Sequence, residues 1–463
     1  MSGMYVPARD PVVARRGLGA LGAMAAGLLL ALGLSLVLTR YPPTVELAVV
    51  AGLALLAVLV LALSSQEAAA ALGFGMLGIV LIEPAPADLV FFVVIAVALV
   101  TGGLRRQRVS GAAVGIVGAF LALNLVSAVE VVDYERALTF FATTAYVAVL
   151  ALWLAGWVTS RRRAKVAAGG YLVAAGLSAS LGLLALFLPL PGAELMVFED
   201  RVQALFKDPN VFGPFLVPAV LVLVEETLTP RLFGFHRLLK GLLLILLALA
   251  LIFSASRGAW ANLAVGLGVL LAVMALRRGG GRKVLLALVL ALVAGVIVAG
   301  AVSLSGSGDF LSDRARVQSY DADRFGAQVA GLEPAQRYPF GVGPGQFERV
   351  APISAHSTYV RVFAEQGLPG MLAFLALLVF TLGAALANAV RGRDTYGIGS
   401  AALLGAWCGL LVNSFVIDTL HWRHLWVVAA LVWAGWMRRR TGSALVSPPL
   451  LVNRKKRVQR RAS

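Results

Sequence analysis

Cysteine is nearly absent from this chain. Cys408 is the only one in 463 residues and lies inside an apolar run, which excludes a disulfide framework and a thiolate metal site. Charge is scarce as well, at 14% of residues against 60% hydrophobic, with a mean hydropathy of +0.87. A chain with so little polar surface cannot clothe a water-soluble globule, so a polytopic membrane protein is expected. Histidine is rare too, with 4 in the chain, and His356 stands at the end of the longest polar interval.

What is abundant is long apolar runs. A helix needs roughly 20 apolar residues to cross a bilayer, and fourteen intervals approach that scale: 17–39, 44–63, 68–82, 88–103, 111–131, 138–159, 166–190, 210–224, 241–256, 258–276, 284–304, 368–390, 397–417 and 422–437. The third, eighth and last are short. The expectation is an all-α polytopic integral membrane protein with 12–14 transmembrane helices and one large external loop containing short helices. The first run has spanning length and no small-residue cleavage site before Tyr41-Pro42-Pro43, so it reads as a retained span and not a signal peptide. The chain divides into N-terminal spans (1–190), spans with outer arginine turns (191–304), a large external loop (305–367), C-terminal spans (368–437) and a basic tail (438–463).

Lys and Arg collect in alternate intervals, as they do on the cytoplasmic side of a membrane. Clusters occur at Arg9, Arg15 and Arg16; at Arg105, Arg106 and Arg108; at Arg161 to Lys165; at Arg231, Arg237 and Lys240; at Arg277 to Lys283; at Arg391 and Arg393; and in the tail. Both termini are therefore expected to be cytoplasmic. The net charge of +17 is mostly an orientation signal. The run Arg454-Lys455-Lys456-Arg457 suits anionic membrane lipid better than nucleic acid, because no nucleic-acid recognition fold accompanies it.

This topology gathers the unusual residues on the outer face. Arg257, in Ser254-Ala255-Ser256-Arg257-Gly258-Ala259-Trp260, departs from the charge pattern at a boundary between two spans. An arginine costs about 2.5 to 3.5 kcal/mol at mid-bilayer, so it either snorkels to headgroups or faces a ligand; Gly258 and Trp260 suit a tight turn held rigidly at the interface. A planar guanidinium grips phosphate oxygens in a fork, and Arg201, Arg257 and Arg337 are the candidate readers of a lipid-linked phosphate.

Within the loop, Pro339-Phe340-Gly341-Val342-Gly343-Pro344-Gly345-Gln346-Phe347 lacks the Lys-Ser/Thr of a phosphate-binding P-loop. It reads instead as a tight turn packing Phe340 and Phe347 against the spans. Asp321 and Asp323 are either a hard-cation pair or the start of a short amphipathic helix. His356 is either a polar helix-start residue or, with its near-neutral pKa, a base for an alcohol. His421 and His424 reach the same face, as a second polar wall or as caps of the last span. Asp208, Tyr359, His421 and Arg423 are the supporting polar groups, and no metal ligand set is assigned.

Three segments in order carry a resemblance: Ser-Arg-Gly-Ala-Trp at 256–260, Pro-Phe-Gly-Val-Gly-Pro-Gly-Gln-Phe at 339–347, and His-Ser-Thr-Tyr-Val-Arg-Val-Phe-Ala-Glu-Gln-Gly-Leu-Pro-Gly at 356–370. Together they resemble the bacterial O-antigen ligase and polymerase superfamily, and Asp208-Pro209-Asn210-Val211-Phe212-Gly213 looks like a segment of its exopolysaccharide polymerase branch. The resemblance implies an inverting glycosyltransferase that needs no metal or cofactor. It also implies a location in the bacterial cytoplasmic (inner) membrane, with the active site on the periplasmic or external face. The donor would be an undecaprenyl pyrophosphate-linked glycan, and the acceptor a glycan, lipid or protein. By the same resemblance His356 would deprotonate the acceptor hydroxyl. Arg257, and with it Arg201, Arg337 or Arg324, would hold the pyrophosphate. The alternative function is a flippase or exporter for a lipid-linked glycan. Such a protein would place charge along a midplane path, and these spans are almost free of it.

Overall fold

The computed structural model describes residues 27–35, 44–103, 107, 109–189, 191–277, 280–316, 319–333, 337–351 and 353–441. Most of the expected first span, the cluster at Arg105, Arg106 and Arg108, the N-terminal arginines and the tail from Gly442 onward lie outside the described residues. Among the described residues the chain is helical nearly throughout, and its one sheet is a hairpin pairing Val197–Phe198 with Arg201–Val202. The all-α polytopic architecture follows from the apolar runs, because a backbone in hydrocarbon must satisfy its own hydrogen bonds.

Eight of the described helices are long and apolar enough to cross a membrane: Val45–Ser64, Gly111–Glu130, Tyr134–Trp157, Arg161–Phe187, Pro209–Leu228, Arg257–Ala275, Gly280–Leu304 and Thr358–Val390. Pro86–Val100 and Ser400–Asn413 are shorter apolar helices. Other apolar runs form shorter or more charged helices: Gln66–Gly75 followed by a 3-10 turn at Met76–Gly78, Arg237–Phe253, and Arg423–Thr441. Burial sorts the spans. Val45–Ser64 and Gly280–Leu304 bury 6% of their most apolar windows whereas Pro209–Leu228 buries 83%, so the first two face lipid and the third runs through the bundle.

At the end of the bundle opposite the loop, cations read as orientation signals are drawn into internal pairs. The buried Glu225 meets Arg231 at 3.3 Å and Arg277 at 3.1 Å, and Lys240 donates to the carbonyls of Phe233 and Glu226.

One helix pair builds the floor of the opposite end. Arg257–Ala275 packs extensively against Ser400–Asn413, and the contact is a ladder of glycines and asparagines at four-residue spacing. Gly258 faces Asn413, Asn262 faces Gly409, and Gly266 faces Gly405, so the helices run antiparallel. A Cβ on Gly405 would come within 2.3 Å of the Gly266 carbonyl oxygen, and one on Gly409 within 2.1 Å of Asn262 Oδ1. Small residues let two backbones approach where lipid supplies no hydrophobic drive.

The large loop contains the short helices Gly308–Ala315 and Ser319–Ala330. The second is the expected amphipathic helix, with Asp321 and Asp323 as its third and fifth residues. The glycine cluster is a turn, as expected. Gly341 N–H donates to the Tyr338 carbonyl, and Val342 and Gly343 donate to the carbonyls of Ala364 and Glu365 at 3.0 and 2.9 Å. Phe347 is fully buried against Ala351, Ala355 and Ala364. Phe340 is not; it stays 50% exposed, which corrects the expectation that both rings pack. The turn docks backbone to backbone: a Cβ on Gly341 would lie 2.3 Å from the Glu365 carbonyl carbon.

Its counterpart Gly367 sits at φ 61°, ψ −167°, a kink that separates the first turns of Thr358–Val390 from the membrane span. A Cβ at Gly367 would approach the Pro339 carbonyl oxygen to 2.0 Å. Gly367→Ala is therefore expected to destabilise the protein by about 1 to 3 kcal/mol, read as a lower Tm together with faster proteolysis within 338–347.

Candidate active site

Where the loop meets the spans, a cavity of about 360 Å³ is lined by Arg257, Arg314 and Arg324 together with Asn210, Gln328 and Asn413. Local structure explains each position. The chain leaves Arg237–Phe253 through Ser254 and Ala255, the latter at φ 47°, and Ser256 caps the next helix by accepting from Ala259 N–H at 3.3 Å. Arg257 is thus the first residue of a helix. Its guanidinium stands beside a positive helix terminus, a place that favours anions. Arg257 Nη1 also donates to the Arg316 carbonyl at 2.9 Å, which ties the loop to the turn. Arg324 and Gln328 lie one turn apart on Ser319–Ala330.

Arg201 holds this arrangement from beneath. It is 4% exposed on the hairpin, and it donates through Nε to the Ser254 carbonyl at 3.0 Å and through Nη2 to Asn210 Oδ1 at 2.8 Å. It does not line the cavity; it orients Asn210, which does, and satisfies the last carbonyl before the Arg257 turn. Asp208 caps Pro209–Leu228 by accepting from Asn210 N–H at 2.7 Å.

His356 lies beside the cavity in a left-handed conformation, φ 43°. Its carbonyl accepts from Gln328 Nε2 at 3.1 Å, and the following Thr358 N–H donates to the Ser414 carbonyl at 2.9 Å. The imidazole has no hydrogen-bond partner among the described residues. Burial lowers its pKa below the ordinary histidine value, the Arg324 charge lowers it further, and Asp208 opposes both. The ring is therefore neutral at physiological pH and able to take up a proton.

Residues 242–375 match the family model described as O-antigen ligase. That match supports the O-antigen ligase superfamily for this chain. No curated protein matches it. The finding is consistent with a glycosyltransferase-type enzyme of the membrane. The matched segment contains Arg257, Arg314, Arg324 and His356, whereas Arg201, Asn210 and Asn413 come from outside it.

The remaining candidates fall elsewhere. Arg337 is exposed and pairs with Glu333 at 3.0 Å without lining the cavity, so of the two loop arginines Arg324 is the one brought to Arg257. Tyr359 donates to the Leu411 carbonyl at 3.0 Å, and its ring lies tilted against Phe415 with centroids 4.3 Å apart. His421 Nε2 lies 2.8 Å from Thr144 Oγ1, and burial lowers its pKa to about 4. Arg423 grips Asp88, with Nε 2.6 Å from Oδ1. His421 and Arg423 line a separate cavity of about 820 Å³ with Asp133, Arg136 and Tyr146, and share no wall with Arg257.

Sequence reasoning missed three residues. Arg361 is buried among Glu365 at 2.9 Å, Asp418 at 2.6 Å and Glu348, with Ser354 Oγ at 3.1 Å and the rings of Phe140 and Phe347 on either side. Its signal was an arginine four residues before a glutamate inside an apolar helix. Asn413 also had a signal, its four-residue phase with Gly405 and Gly409. Arg314 had none, because nothing in the sequence ranks it above the other loop arginines.

Proposed function

We propose that this protein transfers a glycan from undecaprenyl pyrophosphate to an acceptor hydroxyl on the outer face of the bacterial cytoplasmic membrane, with both termini cytoplasmic. It either ligates a finished glycan or polymerises repeat units. The observation that carries this reading is the cavity that gathers Arg257, Arg314 and Arg324, with His356 beside it. The acceptor oxygen attacks the anomeric carbon from the face opposite the leaving group and forms the new C–O bond. The bond from that carbon to the pyrophosphate oxygen breaks, which inverts the centre. The hydroxyl proton passes to the His356 imidazole, and the released pyrophosphate carries the bonding electrons. Guanidinium groups preorganised around that oxygen stabilise the charge as it develops.

Pyrophosphate is already a good leaving group, so no nucleotide site is called for, and the lipid tail enters laterally between spans near Arg257. Arg257→Ala is expected to lower kcat/KM by roughly 10²- to 10³-fold in a detergent-solubilised assay with a defined lipid-linked oligosaccharide, while Arg337→Ala stays close to the parent. Undiminished turnover by Arg257→Ala would overturn the assignment. The product separates the two branches: a lengthening series marks a polymerase, and a single capping of a different acceptor marks a ligase.

A further inference from the structure

Asn413 is the last residue of Ser400–Asn413, fully buried, and it lines the arginine cavity. Neither Oδ1 nor Nδ2 of its carboxamide has a hydrogen-bond partner among the described residues. Such a group is costly to leave unpaired in a buried setting. The glycine ladder explains how it arrives there. A Cβ on Gly258 would sit 2.7 Å from Asn413 Oδ1, so the absence of a side chain at Gly258 makes the notch in which the carboxamide rests. Its neighbour on the ladder, Asn262, is equally buried and unpaired but does not line the cavity.

We propose that Asn413 forms a sugar-reading subsite at the floor of the arginine cavity, contacting the saccharide unit attached to the pyrophosphate. The chemistry of the carboxamide makes the distinction. A pyrophosphate at neutral pH offers acceptors only; it would take the Nδ2–H and leave Oδ1 unpaired and facing negative charge. A carboxamide is satisfied at both ends by a partner that donates and accepts side by side, such as a ring hydroxyl or an acetamido group. The three arginines take the charged part of the donor, and Asn413 takes its first sugar. This inference rests on the proposed transferase function, and its test is built to fail separately.

Asn413→Leu keeps the branched shape and the number of heavy atoms and removes both polar atoms; Asn262→Leu is the matched control away from the cavity. The full-length protein in detergent is titrated with undecaprenyl pyrophosphate and with undecaprenyl pyrophosphate bearing one N-acetylhexosamine. Asn413→Leu is expected to weaken the sugar-bearing lipid by about 10- to 100-fold and to leave the sugar-free lipid unchanged. The unliganded protein's Tm should be equal or higher, because an unpaired polar group is gone. Asn262→Leu should bind both lipids as the parent does. Equal binding of the sugar-bearing lipid by Asn413→Leu and the parent overturns the subsite, as does an equal loss for both lipids, which would make the residue a phosphate contact. A fall in Tm would mark the carboxamide as structural and overturn it too. Arg257→Ala tests the other reading: if it binds both lipids undiminished, the pyrophosphate site itself fails, whatever Asn413 does.

Discussion

His356→Ala is expected to reduce turnover by roughly 10²- to 10⁴-fold, the range for removing a positioned base, while the purified protein still binds undecaprenyl pyrophosphate. The separation follows from geometry. His356 lies beside the arginine cavity and does not line it, and the hydrogen bond from Gln328 Nε2 to its carbonyl joins it to the cavity wall. Single-turnover rates and lipid binding, measured on the same preparation, check it; loss of binding in step with rate would make His356 a donor contact instead of a base.

The pH profile carries a second readout of the same residue. The base works only when neutral, so the rate should fall on the acid side as pH drops through the His356 pKa. Burial first, and then Arg324, place that pKa below the ordinary histidine value, so activity should persist into mildly acidic buffer. Arg324→Gln removes a depressing charge and should move the acid limb to higher pH. Asp208→Asn removes an opposing charge and should move it lower. Movement of both variants in one direction would separate the limb from His356.

Arg361→Ala is expected to destabilise the protein by about 3 to 5 kcal/mol, the cost of stripping one partner from a buried ion pair. Three carboxylates, Glu348, Glu365 and Asp418, converge on this one guanidinium at 5% side-chain exposure. Burial raises the Glu348 carboxyl pKa, but the contacts from Arg361 and Arg136 outweigh it and hold it below its ordinary value. Without Arg361 those carboxylates repel one another. The glycine turn loses its mooring, because Phe347 N–H is bonded to Glu365 at 3.2 Å. The expected result is a Tm drop with little protein surviving extraction. Arg361→Lys should recover only part of the loss, since an ammonium cannot present the planar fork that reaches all three. A parent-like Tm for Arg361→Ala would show that the cluster contributes nothing to the fold.

How far the site could be read in advance depends on the kind of interaction. Arg257 was legible because a cation at the boundary of two apolar runs breaks a local pattern. The glycine turn at 341–345 was legible because turn chemistry is local too. Arg201 was legible as unusual but not in its role, since a buried arginine under a turn and an exposed one beside it look alike in one dimension. His421 and Arg423 share a polar patch with the others in sequence, yet they belong to another cavity.

By itself, then, the sequence determined the class of molecule, the helices and a short roster of polar residues, because hydrocarbon demands internally bonded apolar segments and that demand is met residue by residue along the chain. Tertiary structure alone decided that Arg314 and Arg324, and not Arg337, meet Arg257, that Arg361 is caged, and that Asn413 reaches the cavity floor. Those outcomes depend on how closely two helices approach through the notches at Gly258, Gly266, Gly405 and Gly409, and on where a loop folds back over them. Both are properties of residues far apart in the chain: the four-residue phase of Gly405, Gly409 and Asn413 marks a shared helix face, and not the helix which that face meets.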